Sequence, residues 1–243
     1  MPVSYGVAES VVLHPVADAT LFEVAPNNSA GGAGFFNAGT TQNRTRNRAL
    51  LQFDVSSALP PGAVISAAGL QLEVVRRSKD GYEISVFGLH RVLEPWGEGQ
   101  TVPTDNGGGL GAPAAPGDAT WNNRFAFTPE VWASPGGAPG MDFAEDFSSS
   151  TLIYDVGTYQ FESTLGLVRD VQSWLDNPQA NFGWMLLTES EDLPFTARRF
   201  ASREDPGGGP VLMLEYTVVP EPGAFALTAL GVVALAALHR VRL

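Results

Sequence analysis

Three kinds of side chain in this 243-residue sequence are placed where they could do chemistry: loop tryptophans, an alternating arginine row and a knot of carboxylates. Trp96, Trp121 and Trp132 fall in or beside a stretch rich in Gly and Pro, whereas Trp174 and Trp184 sit in helical and strand patterns that place them in a core. Sugar rings present CH-rich faces that stack on exposed indoles, so the first three are candidates for a carbohydrate-binding platform. Inward packing that anchors the loops is the competing reading. Arg44, Arg46 and Arg48 alternate and on a strand would share one face, where guanidinium groups can grip uronate or sulfate bidentately. Surface charge without a ligand is the alternative for that row. Asp142, Glu145 and Asp146 could offer oxygen ligands to calcium. A carboxylate pair facing across about 5 to 10 Å could instead serve a glycosidase, and a solvated acidic loop is the third reading.

Other chemistries have little to build on. The chain has no cysteine, so thiolate nucleophiles, disulfides and Cys-ligated metals are excluded. His14, His90 and His239 are its histidines, and the HExxH, GxxxxGK[ST] and GxSxG patterns are absent. With 26 Asp+Glu against 14 Lys+Arg the net charge is −12, which repels phosphate backbones; nucleic acid is not an expected partner. Lys79 is the one lysine. Arg198, Arg199 and Arg203 form a second cationic group, with Arg203 and Glu204 expected to pair internally.

The elements that must position these residues read as β. Hydrophobic residues make up 44% of the chain and charged residues 16%, enough for a core, and 27 Gly with 18 Pro imply many turns. Strand patterns cover 48–55, 64–75, 82–92, 152–161, 183–188 and 211–216, divided by turn clusters such as Leu59-Pro60-Pro61-Gly62 and Asp205-Pro206-Gly207-Gly208-Gly209-Pro210. Leu70, Leu72 and Val74 share one face, with Gln71 and Glu73 on the other. One helix is expected, capped by Thr164, with Leu167, Val168, Val171, Trp174 and Leu175 at helical spacing and Asn177-Pro178 as its stop. The region 96–150 is a long loop, of the kind usually functional or mobile. The expected fold is all-β: an antiparallel sandwich of jelly-roll type over 1–217 with one short helix, followed by a C-terminal hydrophobic helix.

That last segment, 218–243, carries a resemblance. Pro220-Glu221-Pro222 precedes 16 uncharged residues, 223–238, and a basic end containing Arg240 and Arg242. It resembles the PEP-CTERM sorting signal of exopolysaccharide-producing Gram-negative bacteria. As a helix, 16 residues would be about 24 Å long, so crossing the hydrocarbon core needs flanking residues, tilt or local thinning. The arginines would stay cytoplasmic, leaving 1–219 outside. The resemblance implies export, transient anchoring in the inner membrane, and cleavage near Pro-Glu-Pro by an exosortase-type protease or transpeptidase. Met1 to Ser10 has neither a basic n-region nor an apolar h-region, so either the start lies further upstream, the favoured reading, or the tail is not used as a sorting signal.

A second resemblance spans roughly 17–217. Ala17-Asp18-Ala19-Thr20, the run from Arg48 to Ser56, Pro61 to Leu72, Trp96-Gly97-Glu98-Gly99, Ala119-Thr120-Trp121-Asn122-Asn123, Trp174-Leu175, Asn181-Phe182-Gly183-Trp184 and Ala201-Ser202-Arg203-Glu204 follow the order found in DNRLRE-type jelly-roll modules. Some of these exported modules bind carbohydrate. The family's Gly-Gly-Asp-Phe is here split into Gly136-Gly137 and Met141-Asp142-Phe143. Together the two resemblances imply an exported, non-catalytic carbohydrate-binding protein of the cell surface or matrix, associated with extracellular polysaccharide or biofilm. A purely structural matrix protein and a polysaccharide-degrading enzyme are the alternatives.

Overall fold

The segment Arg48-Ala49-Leu50-Leu51-Gln52-Phe53 alternates poorly because it is covered on both sides. Leu51 and Phe53 point into the main core, while Leu50 on the opposite face lies in a second core. This strand runs through the middle of a computed structural model that describes residues 8–104 and 109–218. In chain order the strands are β1 (Ala8–Leu13), β2 (Pro15–Phe22), β3 (Asn28–Ser29), β4 (Phe35–Thr40), β5 (Arg46–Phe53), β6 (Ala63–Arg77), β7 (Ser85–Arg91), β8 (Ala112–Pro113), β9 (Ser149–Ile153), β10 (Gly157–Phe161), β11 (Trp184–Thr188), β12 (Arg198–Ala201) and β13 (Val211–Val218). Helix α1 spans Leu165–Asp176.

Every strand ladder is antiparallel, and one sheet follows the order β1-β13-β6-β12-β4-β5-β11-β7-β9, with β10 added to β6 and β2 to β5. The sheet curls so that β6 and its neighbours face β5, β11 and β7 across the main core, an all-β arrangement consistent with a sandwich. β6 is its spine: Ile65, Leu70, Leu72 and Val74 are buried, Gln71 is half-buried and Glu73 exposed. The expected run 152–161 is two strands. Gly157, at φ +145°, follows the Asp155-Val156 turn, and β9 joins β7 while β10 joins β6. β1, β2, β4 and β12 had no matching strand pattern.

α1 begins where its sequence says. Thr164 accepts the Leu167 N–H at 3.1 Å, Leu167, Val171 and Trp174 are buried, and Asn177 ends the helix before Pro178. Trp174 packs against Trp184 with ring centroids 4.5 Å apart, and the Trp184 indole donates to Asp170 Oδ2 at 2.8 Å, so both tryptophans fill the core as expected.

The long loop is a layer. Residues from the 96–150 stretch cover the outer face of β2, β5 and β11, enclosing Ala19, Leu21, Leu50, Met185 and Leu187. Among the described residues no helix is long and apolar enough to cross a membrane. Pro220, Glu221, Pro222, the expected helix 223–238, Arg240 and Arg242 lie outside the described residues.

Candidate functional site

The second core decides the fate of the expected glycan platform. Trp96, Trp121 and Trp132 are 8%, 4% and 3% exposed. The Trp96 indole donates to Phe182 O at 2.9 Å and that of Trp132 to Thr120 O at 2.8 Å. Trp121 lies against the Gly136 backbone: a Cβ on Gly136 would come within 2.5 Å of its ring, and the residue also sits at φ +85°. None of the three offers an indole face to a sugar. The reason is long-range: the outer face of β5 and β11 is itself apolar and needs a cover.

The arginine row also comes apart. Arg44 sits in a turn at φ +62°, its N–H donating to Thr41 O, and is not on the strand. Arg46 pairs with Glu23 and lies 3.8 Å from Glu191. Arg48 is buried and fully engaged. Its Nε and Nη2 donate to Glu191 at 2.7 and 2.6 Å, and its Nη1 donates to Gly136 O and Gly137 O, both at 2.9 Å. The guanidinium also lies 5.6 Å from the Trp121 ring centroid and 5.4 Å from that of Phe143. Arg48 therefore fastens the loop layer to β5.

The expected calcium residues do not converge. Asp142 is buried and accepts the Ala133 and Ala138 N–H groups, bracing two loop turns, while Glu145 and Asp146 are exposed. Among the described residues the one group of three carboxylates within 4.8 Å is Asp18, Glu98 and Glu204. Arg203 binds Glu98 through Nε and Nη2 at 2.7 and 2.8 Å and also pairs with Glu204 at 2.8 Å, while its N–H donates to Asp18. Burial, with Glu204 and Glu98 nearby, pushes the Asp18 carboxyl up to about 8 despite the Arg203 hydrogen bond. The Arg203 guanidinium thus offsets the crowding of negative charge, and burial makes Asp18 hold a proton more readily than a free carboxyl. The Arg203–Glu204 pair was legible from adjacency; the larger cluster joins residues 186 positions apart.

The arrangement best suited to a ligand is a cleft of about 390 Å³ over β4, β6 and β12. Among the described residues five cationic side chains line it, Arg76, Arg77, Lys79, Arg198 and Arg199, against one carboxylate, Asp80. A register shift between Arg199 and Phe200 produces it: Phe200 pairs with Val74 but Arg199 pairs with Arg76, so one extra β6 residue turns Arg76 away from the inward face of Val74. Arg76, Arg199 and Asn37 then lie in a row across three strands. Two like charges directly opposite each other in a ladder repel. Burial and then Arg76 push Arg199 down to about 10, while its guanidinium lies 3.8 Å from the Phe35 ring centroid.

Behind this row Arg198 is fully buried. It donates to the carbonyls of Phe195, Thr196, Ala197, Glu83 and Tyr154, yet among the described residues its Nε has no partner; the same holds for Oδ1 of buried Asn47, also on the cleft wall. Arg77 is held by Asp155 at 2.6 Å over the Tyr82 ring. A positive potential is therefore built into a protein of net charge −12. The pairing of Arg76 with Arg199 left no local trace in the sequence beyond the adjacent pairs Arg76-Arg77 and Arg198-Arg199. No protein-family model matches the chain, and no curated protein shows significant similarity to it.

Proposed function

We propose that this chain is an exported, non-catalytic carbohydrate-binding protein whose ligand is an acidic polysaccharide held at the cationic cleft. The observation that carries the reading is the Arg76–Arg199 cross-strand pair in a cleft lined, among the described residues, by five cations and one carboxylate. Uronate or sulfate groups accept planar, two-pronged hydrogen bonds from guanidinium groups. The cleft volume falls within the range of small-molecule sites, about 300 to 1,000 Å³.

The wider setting follows the two sequence resemblances. The sandwich would be of the DNRLRE jelly-roll type, exported and held briefly in the inner membrane. The exosortase-type enzyme would then release it to the surface or the polysaccharide matrix. Replacing Pro220-Glu221-Pro222 by alanines should leave uncleaved protein in the membrane fraction; unchanged processing would refute sorting by this signal.

Titration of the full chain with polyuronate, sulfated and neutral polysaccharides tests the ligand. Saturable binding of an acidic polymer, weakened at least tenfold by Arg199→Gln and by Arg76→Ser, is expected. Equal binding by the variants would move the site elsewhere. A purely structural matrix role is the second reading, favoured by the burial of Trp96, Trp121 and Trp132. It predicts that no polysaccharide shifts the melting temperature.

A further inference from the structure

Phe127 occupies a backbone position that a bulky residue rarely takes. It is the third residue of a four-residue turn closed by the Thr128 N–H donating to Phe125 O, and its φ is +63°. Turns that place φ > 0 there ordinarily use Gly or Asn, because a Cβ crowds the backbone. The ring is also 78% exposed. Among the described residues two other non-glycine residues have positive φ. Phe195 supplies a carbonyl to Glu83 and Arg198, and Arg44 closes its own turn onto Thr41. Phe127 has neither burial nor, among the described residues, a ring stacking partner to offset its conformation.

The turn is nonetheless firmly held. Ala126 N–H donates to Asp118 O at 2.7 Å, Gly117 N–H to Ala126 O at 3.0 Å and Thr128 Oγ1 to Phe125 O at 2.7 Å. Next to the ring is a hollow of about 320 Å³ lined by Asn27, Ala114, Thr120, Asn123 and Ala126, with no charged side chain. The Asn122 amide donates to Asn27 Oδ1 at 2.9 Å, and Asn27 and Asn123 bring side-chain amides to the lining of the hollow. Residues held in sparsely populated backbone regions cluster at functional sites, including ligand clamps.

We propose that Phe127 and this hollow form a binding subsite for an uncharged pyranose, distinct from the cationic cleft, with which it shares no lining residue. The CH face of the sugar stacks on the Phe127 ring, and its hydroxyls meet the amides of Asn27 and Asn123. An uncharged ligand fits because the hollow has amides and methyl groups but no ion to pair with a carboxylate or an ammonium. A polysaccharide with both acidic and neutral residues would engage the two sites together, and the subsite stands whether or not the cleft binds anything.

The experiment is titration of the full chain with neutral hexasaccharides of glucose, mannose, xylose and N-acetylglucosamine, followed by calorimetry and by melting temperature. One of them should bind saturably. Phe127→Gly should weaken it at least about tenfold while leaving the melting temperature unchanged or higher, since glycine relieves the positive φ and little burial is lost. Asn27→Ala should weaken it as well, and Arg199→Gln should leave it unaltered, which separates this subsite from the cleft. Four results would overturn the proposal: no hexasaccharide bound by the parent chain, a Phe127→Gly variant that binds as well as the parent, a lowered melting temperature in that variant, or concentration-dependent self-association lost in it, which would make Phe127 a contact between copies.

Discussion

Replacing Arg48 by methionine removes the clamp between β5 and the loop layer while keeping an unbranched side chain of similar length. Four hydrogen bonds vanish: the two to Glu191 at 2.7 and 2.6 Å and the two to Gly136 O and Gly137 O at 2.9 Å. Breaking a buried ion pair by deleting one partner costs about 3–5 kcal/mol. Glu191 keeps a side-chain exposure of 22% and a second arginine, Arg46, at 3.8 Å, which places the cost toward the lower end, about 3 kcal/mol. For a domain of this size that lowers the melting temperature by about 6–12 °C. Glu191→Gln should cost less, and the double variant should show a coupling of about 1–3 kcal/mol. Thermal unfolding gives the energies, and amide exchange at 133–143 should rise in Arg48→Met as the Gly136-Gly137 turn loosens. A loss below about 1 kcal/mol with no coupling to Glu191 would refute the clamp and return Arg48 to the pool of ligand-binding arginines.

Further outcomes follow from the same geometry. Trp132→Ala should cost about 3–5 kcal/mol, because it opens a cavity in the second core and orphans the Thr120 carbonyl; a variant as stable as the parent would mean the indole is exposed in solution. Asp18 gives a pH signature. Its folded carboxyl titrates near 8 rather than in the ordinary range near 4, so the folded state holds the proton more tightly than the unfolded chain. The resulting stabilisation is fully present below about pH 4 and is gone once pH passes about 8, with a slope approaching about 1.4 kcal/mol per pH unit between. Glu204, likewise raised by burial, adds in the same direction, and Glu98 and Arg203 complete the cluster. Asp18→Asn should flatten the profile of stability from pH 5 to 8; an unchanged slope would show that Asp18 is ionised in the fold.

Much of the frame was legible because it is written in local periods. Thr164 and the apolar stripe from Leu167 to Trp174 define α1, and the alternation around Leu70, Leu72 and Val74 defines the inward face of β6. β12 was hidden because its two arginines are stabilised at a distance: Arg198 by carbonyls from three chain segments and Arg199 by the Phe35 ring. The loop tryptophans invited a surface reading because nothing near them in the chain tells which way they face. The usable signal lay elsewhere, in Leu50-Leu51 and in Trp184-Met185-Leu186-Leu187, whose lack of alternation means that both faces of β5 and β11 are covered. The cleft was invisible for a related reason: a one-residue register shift decides that Arg76 meets Arg199, and register belongs to the sheet rather than to either strand.

The most direct test of an acidic-polysaccharide site is the salt dependence of polyuronate binding by the parent chain and by Arg76→Ser/Arg199→Gln. The parent should bind the polymer saturably, with affinity falling steeply as salt rises; the double variant should lose at least tenfold with a shallower slope, and an oligonucleotide of equal charge should bind less tightly than the polyuronate. Binding unaffected by salt and by both substitutions, or no binding at low salt, would contradict the assignment of the cationic cleft as the ligand site.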